Sequence, residues 1–167
     1  QPDWAIWGVE MDAMPPKDYL NFAAKRIADA VLQAWHSRQP GGVSFGLGQA
    51  VIGHNRRMVY QDGHAQMYGP VDTAEFSHVE GYEDHGVNLM YTWIPDGTLT
   101  GVVVNLACPS QVSEQDYHIS ADYWHDTQVE LRKRLGETLY VLPQCSAAGD
   151  QSPHLIERNN RITRPHG

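Results

Sequence analysis

The sequence has few of the residues that mark the commonest functional classes. Of its 167 residues only two are cysteines, so there is no disulfide framework, although one bridge between them stays open. There are 12 basic residues against 20 acidic ones, and the net charge of −8 argues against nucleic acid as a partner, because phosphate binding needs a basic surface. No apolar run reaches the roughly 18 residues of a transmembrane segment, and no signal peptide is recognisable.

Metal-binding spacings are missing as well. The nine histidines are scattered, none of them lies four residues from another, and no C-x-x-C pair occurs, so the spacing does not support a zinc site. With 41% apolar and 19% charged residues, the composition is that of a globular domain long enough to bury a core. We therefore expect a single domain over residues 1–167.

The apolar pattern predicts an α/β domain in which helices pack on a mixed sheet. Segment 14–42 has apolar residues at helical spacing and predicts a helix that begins with Pro15 and Pro16 and covers a sheet. Segment 119–136 predicts a second helix with Ser120 as its N-cap. Strands are predicted at 42–53, 87–94, 101–108 and 137–143.

The connections between these elements set the topology. Asp96-Gly97 predicts a hairpin between two of the strands, whereas 54–69 predicts irregular chain with a turn at Asp62-Gly63. Residues 101–143 form a strand–helix–strand unit, which predicts two parallel strands joined by a right-handed crossover. Ligands of open α/β sheets bind at the carboxyl ends of such strands, so the loops 108–118 and 144–154 are the candidate site.

The loop "QCSAAGDQSPH" carries the residues best suited to catalysis. Ser152 is a candidate nucleophile with Asp150 beside it, and His154 lies two residues away on the same side of an extended chain. Gly149 allows a substrate to approach the backbone closely. The spacing is not that of the nucleophile elbow G-x-S-x-G, and a tight turn in which Asp150 caps backbone N–H groups is the alternative.

Two further pairs of residues are open to more than one interpretation. Cys108 and Cys145 fall at equivalent positions of the two parallel strands, and we favour buried thiols over a catalytic pair or a disulfide. Arg56 and Arg57 fit two interpretations equally well. One is the binding of a carboxylate or phosphate, and the other is a salt-bridged turn.

Several stretches, taken in order, resemble the catalytic domain of the neutral (alkaline, non-lysosomal) ceramidase family. "GHNRR" is similar to the family's asparagine–arginine segment after the first long helix, and "DHGVNLMYTWIPDGTLTGVVVNLACPSQ" resembles its paired strands. "ISADYWHD" resembles the helix start that follows, and "SAAGDQSP" resembles the loop N-A-G-D-x-S-P. The resemblance extends over about residues 16–155.

The resemblance implies a hydrolase that cleaves the amide bond of ceramide at a zinc centre, outside the cell or at its surface. It places Ser152 at the position of the catalytic serine, with Asp150 and Gly149 shaping the loop. Arg56 falls near the substrate end of the site, so that Gly149, Arg56 and His154 are the candidate substrate-binding residues. Whether the serine or a zinc-bound water attacks stays open.

The sequence also departs from the family pattern. Pro109 stands where the family has a zinc-ligating histidine, Ala147 replaces an asparagine, and the other family ligands lie before Gln1 or after Gly167. One interpretation is a fragment of a larger ceramidase-like hydrolase of a lipid-like substrate. The alternative is a divergent homologue that keeps the scaffold and binds a ligand without catalysis.

Overall fold

The computed structural model describes residues 14–114, 116 and 118–155. Contacts divide the chain into two units, Gln1–Pro40 and Gly41–Gly167. In the first unit, helix α1 runs over Pro16–His36 and begins with proline in its first turn, as predicted. Within the described residues, neither helix combines the length and apolarity that crossing a bilayer requires. That α1 covers a sheet stays a prediction, and so does the single domain.

The strands and the helix of the second unit are β1 (Gly42–Gln49), β2 (His54–Asn55), β3 (Arg57–Tyr60), β4 (Ala65–Met67), β5 (Phe76–Val79), β6 (Gly86–Trp93), β7 (Leu99–Leu106), α2 (Tyr123–Leu135), β8 (Tyr140–Cys145) and β9 (Gln151–Ser152). Four of these strands form a mixed sheet in the order β1-β6-β7-β8. In this sheet β6 pairs antiparallel with β1 and β7, and β8 pairs parallel with β7. With helix α2 connecting β7 to β8, the predicted α/β class is confirmed.

The hairpin between β6 and β7 forms where its turn chemistry predicts. Gly97 has φ 88°, a conformation that glycine adopts without a steric cost. Its N–H donates to the carbonyl of Ile94 at 3.0 Å, and the side chain of Asp96 accepts from the N–H of Thr98 at 2.8 Å. This turn fixes the antiparallel pairing that places β7 in the centre of the sheet.

The core lies between β7 and α2. Alternate residues of β7 are buried, and Trp124 is the buried residue of α2 that packs on them. At about 25 cal/mol per Å² of apolar surface, such burial dominates the stability of this unit. The buried members of this core are Val102, Val104, Leu106, Cys108, Trp124 and Leu139.

The N-cap of α2 is Asp122 and not Ser120, so that prediction was wrong. The carboxylate of Asp122 accepts from the N–H of Tyr123 at 2.9 Å, while its other oxygen accepts from the N–H and hydroxyl of Ser113. Ser120 instead accepts from the N–H of Asp122 at 2.9 Å. An aspartate is preferred here because its second oxygen also binds the loop that follows β7.

The prediction that 54–69 is irregular was also wrong. This segment contains β2, β3 and β4, and the predicted turn at Asp62-Gly63 joins β3 to β4. β3 pairs antiparallel with both β4 and β5. β2 pairs with β9, so that His54 lies opposite Ser152. The segment therefore forms one side of the candidate site.

Candidate functional site

The two candidate loops meet at the carboxyl ends of β7 and β8, as predicted. Leu106 lies opposite Cys145 in the parallel register, and the N–H of Ser146 donates to the carbonyl of Leu106 at 2.9 Å. Cys108 and Cys145 are therefore offset by two residues and are not equivalent positions, because the register pairs Cys145 with Leu106.

Both cysteines are free, and they differ in environment. Cys108 is fully buried, whereas Cys145 is exposed. Burial raises the pKa of the Cys108 thiol to about 11, against a hydrogen bond from Tyr123 that lowers it. A thiol needs its thiolate form to act as a nucleophile, so this environment disfavours a catalytic Cys108. The buried interpretation is confirmed for Cys108 and is wrong for Cys145.

Ser152 is fully buried at 0% exposure and lies on the short strand β9. Its Oγ accepts a hydrogen bond from the N–H of His154 at 3.2 Å and from the hydroxyl of Tyr68 at 3.4 Å. Just before it, the N–H of Gln151 donates to the carbonyl of Ala148 at 3.1 Å, which closes a tight turn. The tight turn of the alternative interpretation is therefore present, but the Asp150 carboxylate in it accepts from the side chain of Asn55. The catalytic role of Ser152 stays a prediction.

Asp150 is held by Asn55, a residue that sequence reasoning did not single out. Asn55 is 3% exposed, and its Nδ2 donates to Asp150 Oδ2 at 2.9 Å, while its Oδ1 accepts from the N–H of Arg57 at 2.9 Å. The carbonyl of Asp150 accepts from the N–H of Arg56 at 2.7 Å. A Cβ at Gly81 would lie 3.0 Å from Asn55 Nδ2, so the missing side chain leaves room for this contact.

The guanidinium of Arg56 binds three parts of the site at once. Nε and Nη2 donate to the carbonyl of Gly149 at 3.2 and 2.9 Å, and Nη1 donates to the hydroxyl of Tyr68 at 2.9 Å and to Gln111 Oε1 at 3.0 Å. All these acceptors are uncharged, so the positive charge of Arg56 is retained at the site. Arg57, by contrast, forms an ion pair with Glu80, as the salt-bridge alternative predicts.

The ring of His154 does not contact Ser152. Its Nε2 lies 2.8 Å from the carbonyl oxygen of Gln111, and because a carbonyl only accepts, Nε2 carries the hydrogen. Glu114 Oε1 lies 3.8 Å from the same nitrogen. His154 therefore contacts the nucleophile candidate through its backbone N–H alone. The roles of Gly149, Arg56 and His154 in substrate binding stay predictions.

Among the residues of the site, Tyr68 has the weakest signal in the sequence. It is 42% exposed, and its φ of 55° is rare for a bulky residue. Its N–H donates to the carbonyl of Arg56 at 2.8 Å. It lies at the end of a segment with no recognised motif, and only the fold brings it to Ser152. Gln111, in the other loop, was missed for the same reason.

A second polar cluster is formed by Glu83 with residues of β2 and with His85. One oxygen of Glu83 contacts His54 Nδ1 at 3.1 Å and accepts from the N–H of Asn55 at 3.1 Å, and the other contacts His85 Nε2 at 3.1 Å. Burial alone raises the pKa of Glu83, but the hydrogen bonds from His85, the Asn55 amide and His54 outweigh it and lower the pKa. The cluster thus links the strand opposite Ser152 to the 80–85 loop.

We expect Glu83→Gln to destabilise the protein at pH 7 by about 1–2 kcal/mol, since the hydrogen bonds to a charged acceptor are lost. Because folding lowers the pKa of Glu83, its charge stabilises the fold above the unfolded-state value near 4.5, and this contribution is lost as pH falls through the folded-state pKa. Urea unfolding at pH 7 and pH 3 measures both effects. The exposed Glu137→Gln is the control. A destabilisation equally large at both pH values would contradict the assignment.

The residues present do not fit the zinc site that the resemblance implies. The described part of the chain contains no group of three or more His, Cys, Asp or Glu side chains suited to a metal ion. At the end of β7, Pro109 has no ligating atom in its side chain. We therefore derive no step of the reaction through zinc.

No protein-family model and no curated protein matches this sequence. Solved structures are similar to it in fold. Neutral ceramidase from Pseudomonas aeruginosa matches with a TM-score of 0.56 and 17% identity over 84% of this chain, which covers 21% of that protein. A ceramidase complexed with C2 matches with a TM-score of 0.50 and 17% identity. The match extends over 69% of this chain and covers 17% of the length of that ceramidase.

At this identity the likeness establishes the fold alone. The chain spans about a fifth of the length of the Pseudomonas aeruginosa ceramidase. The resemblance that the order of the sequence motifs indicates is thereby confirmed at the level of the fold.

Proposed function

We propose that this chain belongs to a ceramidase-like hydrolase that cleaves the amide bond of a lipid-like N-acyl substrate, with Ser152 as the nucleophile. The observation that carries the proposal is the environment of Ser152 Oγ. It lies at the carboxyl edge of the parallel strands, in contact with a phenol that is itself bound to Arg56, a cation whose hydrogen-bond acceptors among the described residues are all uncharged. Hydrolysis of an amide needs an activated nucleophile and positive charge near the developing oxyanion, and this cluster offers both kinds of group.

A lipid-like substrate is supported by exposed apolar residues that adjoin members of this cluster in the chain. Met67, Tyr68 and Val112 are each 42% exposed, and Val112 adjoins Gln111, which bonds to Arg56. Apolar side chains around a few fixed polar groups are what a substrate with an acyl chain requires. The fold shared with ceramidases supports the same substrate class, and a location outside the cell or at its surface belongs to this proposal.

The proposal is tested by trapping the acyl-enzyme. We expect the full-length gene product, mixed with an N-acyl amide that carries a fluorogenic amine, to release the amine. Mass spectrometry of the quenched reaction should then find the acyl group on the peptide that contains Ser152. Release of the amine with the acyl group on another residue, or no release at all, would contradict the proposal.

The burial of Ser152 favours a second candidate function. A hydroxyl at 0% exposure is not reached by a substrate without some displacement of its neighbours, which suits a divergent homologue that binds an N-acyl lipid and does not cleave it. Under this alternative, an N-acyl sphingoid base would bind and be recovered intact after long incubation. The same mixture analysed for bound and cleaved lipid separates the two functions.

A further inference from the structure

We propose that the phenol of Tyr68 is the catalytic base that takes the proton of Ser152, an inference that rests on the proposed function. The Tyr68 hydroxyl donates to Ser152 Oγ at 3.4 Å, so the base is the phenolate that remains once this hydrogen is lost to solvent. Among the described residues, Tyr68 is the titratable side chain in hydrogen-bond contact with that atom. Catalytic hydrogen bonds are often long before substrate binds, so this distance suits a resting site.

The other titratable groups around Ser152 are engaged elsewhere. The ring of His154 bonds to a backbone carbonyl, the carboxylate of Asp150 accepts from an asparagine, and His54, although it lies opposite Ser152, has its Nδ1 on a glutamate. A nucleophilic serine needs a base within hydrogen-bond reach. In the part of the chain that the structure describes, the geometry assigns that role to Tyr68.

Arg56 prepares the phenol for this role. Its Nη1 donates to the Tyr68 oxygen at 2.9 Å, and its Cζ lies 5.4 Å from the centre of the ring. A charge-assisted hydrogen bond of this kind stabilises the negative oxygen that accepts the proton. The same guanidinium is fixed by the carbonyl of Gly149, so its position relative to the Ser152 loop is set by the fold.

The backbone of Tyr68 supports a functional assignment. At φ 55° this tyrosine is in the left-handed region, which is unfavourable for a non-glycine residue and persists where the surroundings impose it. Of the two groups that contact Oγ, Tyr68 is the more exposed, and we infer that the substrate approaches along its side. A glycine at this position would relieve the backbone and remove the phenol.

The Tyr68 phenolate takes the hydroxyl proton of Ser152 as Oγ bonds to the amide carbonyl carbon and the carbonyl π pair moves to its oxygen. The C–N bond then breaks, and the amine leaves with the proton returned by Tyr68. Water, deprotonated in turn by the phenolate, attacks the ester, and Oγ leaves with that proton. The net reaction is amide plus water to carboxylic acid plus amine.

The test compares Tyr68→Phe with Tyr60→Phe in the full-length product. Tyr60 is a matched control, since its hydroxyl donates to the carbonyl of Pro70 at 3.0 Å, away from Ser152. We expect Tyr68→Phe to lower kcat by about 100-fold or more with KM within threefold, as loss of a general base does. Tyr60→Phe should stay within threefold of wild type in both constants.

A second variant keeps the fold and moves only the acidity of the phenol. With 3,5-difluorotyrosine at position 68, the rise of kcat towards alkaline pH should shift to lower pH. The charged and titratable groups on the segments around the phenol are Arg56, Asp150, His154 and Glu114, and all of them are unchanged in this variant. A pH profile that does not move would assign Tyr68 a structural role and overturn the inference.

Failure of the inference is distinguishable from failure of the proposed function. If Ser152→Ala is inactive and Tyr68→Phe retains more than a third of the wild-type kcat, Tyr68 is not the base and the proposed function stands. If Tyr68→Phe reacts faster than wild type with a fluorophosphonate, the tyrosine covers Ser152 and does not activate it, which also overturns the inference. If Ser152→Ala hydrolyses the amide like wild type, the proposed function fails and the inference with it.

Discussion

Ser152→Ala is expected to lower kcat/KM for the N-acyl amide by about 10⁴-fold or more, the scale on which removal of a serine nucleophile acts. Alanine removes the only atom that would bond to the carbonyl carbon and leaves the backbone of β9 unchanged. The change loses two hydrogen bonds at Oγ, so a destabilisation of about 1–2 kcal/mol accompanies it. Steady-state kinetics and a thermal melt, run together, measure the two effects separately.

The control for this loss is Ser146→Ala in the same loop. Ser146 follows β8 directly and is half-buried, and the contact that anchors it is made by its backbone N–H to Leu106. We expect this variant to keep the wild-type rate within twofold. Equal losses of activity in the two variants would mean that the loop is needed for folding and that Ser152 has no special role.

The elements predicted well from the sequence are those whose signals are local. The β6–β7 hairpin is encoded by Asp96-Gly97, where one glycine needs a positive φ. The parallel β7–α2–β8 unit follows from two apolar strands on either side of a helix with basic residues in its last turn. Each of these signals lies within a few residues of the structure that it specifies.

Two kinds of feature are predicted poorly. One is the very short strand, and the other is a helix start at which two nearby residues are both acceptable as the N-cap. β2 and β9 have two residues each, which is too short for alternation to be recognised, and yet their pairing positions Ser152. At α2, Ser120 and Asp122 are both acceptable N-caps, and the choice depends on whether Ser113 is within reach of the carboxylate. That contact is tertiary and has no local signal.

The site itself was predicted only in part for a related reason. Ser152, Asp150 and Arg56 come from segments that sequence reasoning selected, and all three lie in one cluster. Their partners Tyr68 and Asn55 were missed, because the bonds that recruit them join residues 84 and 95 positions apart. A single sequence contains no information on which distant polar residues will satisfy a buried group.

These partners explain how one loop acquires a fixed geometry. The Ser152 loop has no helix or long strand of its own, so its shape depends on Asn55 from one side and Arg56 from the other. Burying a polar group costs stability unless each donor and acceptor is paired. The buried side chain of Asn55 is paired in this way with Asp150, and Arg56 fixes the carbonyl of the exposed Gly149. We call the consecutive residues Asn55 and Arg56 the clamp of this loop. Replacing one of them should change the position of Ser152, although Ser152 itself is not altered.

Asn55→Asp tests this clamp with an almost isosteric change. We expect it to destabilise the protein by about 3 kcal/mol at pH 7, because a buried donor to Asp150 at 2.9 Å is replaced by a second carboxylate. The repulsion between the two carboxylates raises the pKa of the pair, so one proton shared between them restores the hydrogen bond. The loss should therefore shrink as pH falls towards 4, which urea unfolding across that range measures.

Asn88→Asp on β6 serves as the control, since Asn88 is exposed and the same change there should cost less than about 0.5 kcal/mol at any pH. Hydrolysis at pH 7 gives the second readout. If Asn55 and Arg56 hold the loop as a unit, Asn55→Asp lowers kcat by about 10-fold or more while Ser152 and Tyr68 remain in place, since a misplacement of about 1 Å has effects on that scale. A destabilised variant that retains the wild-type kcat would show that Asn55 stabilises the fold without positioning the nucleophile.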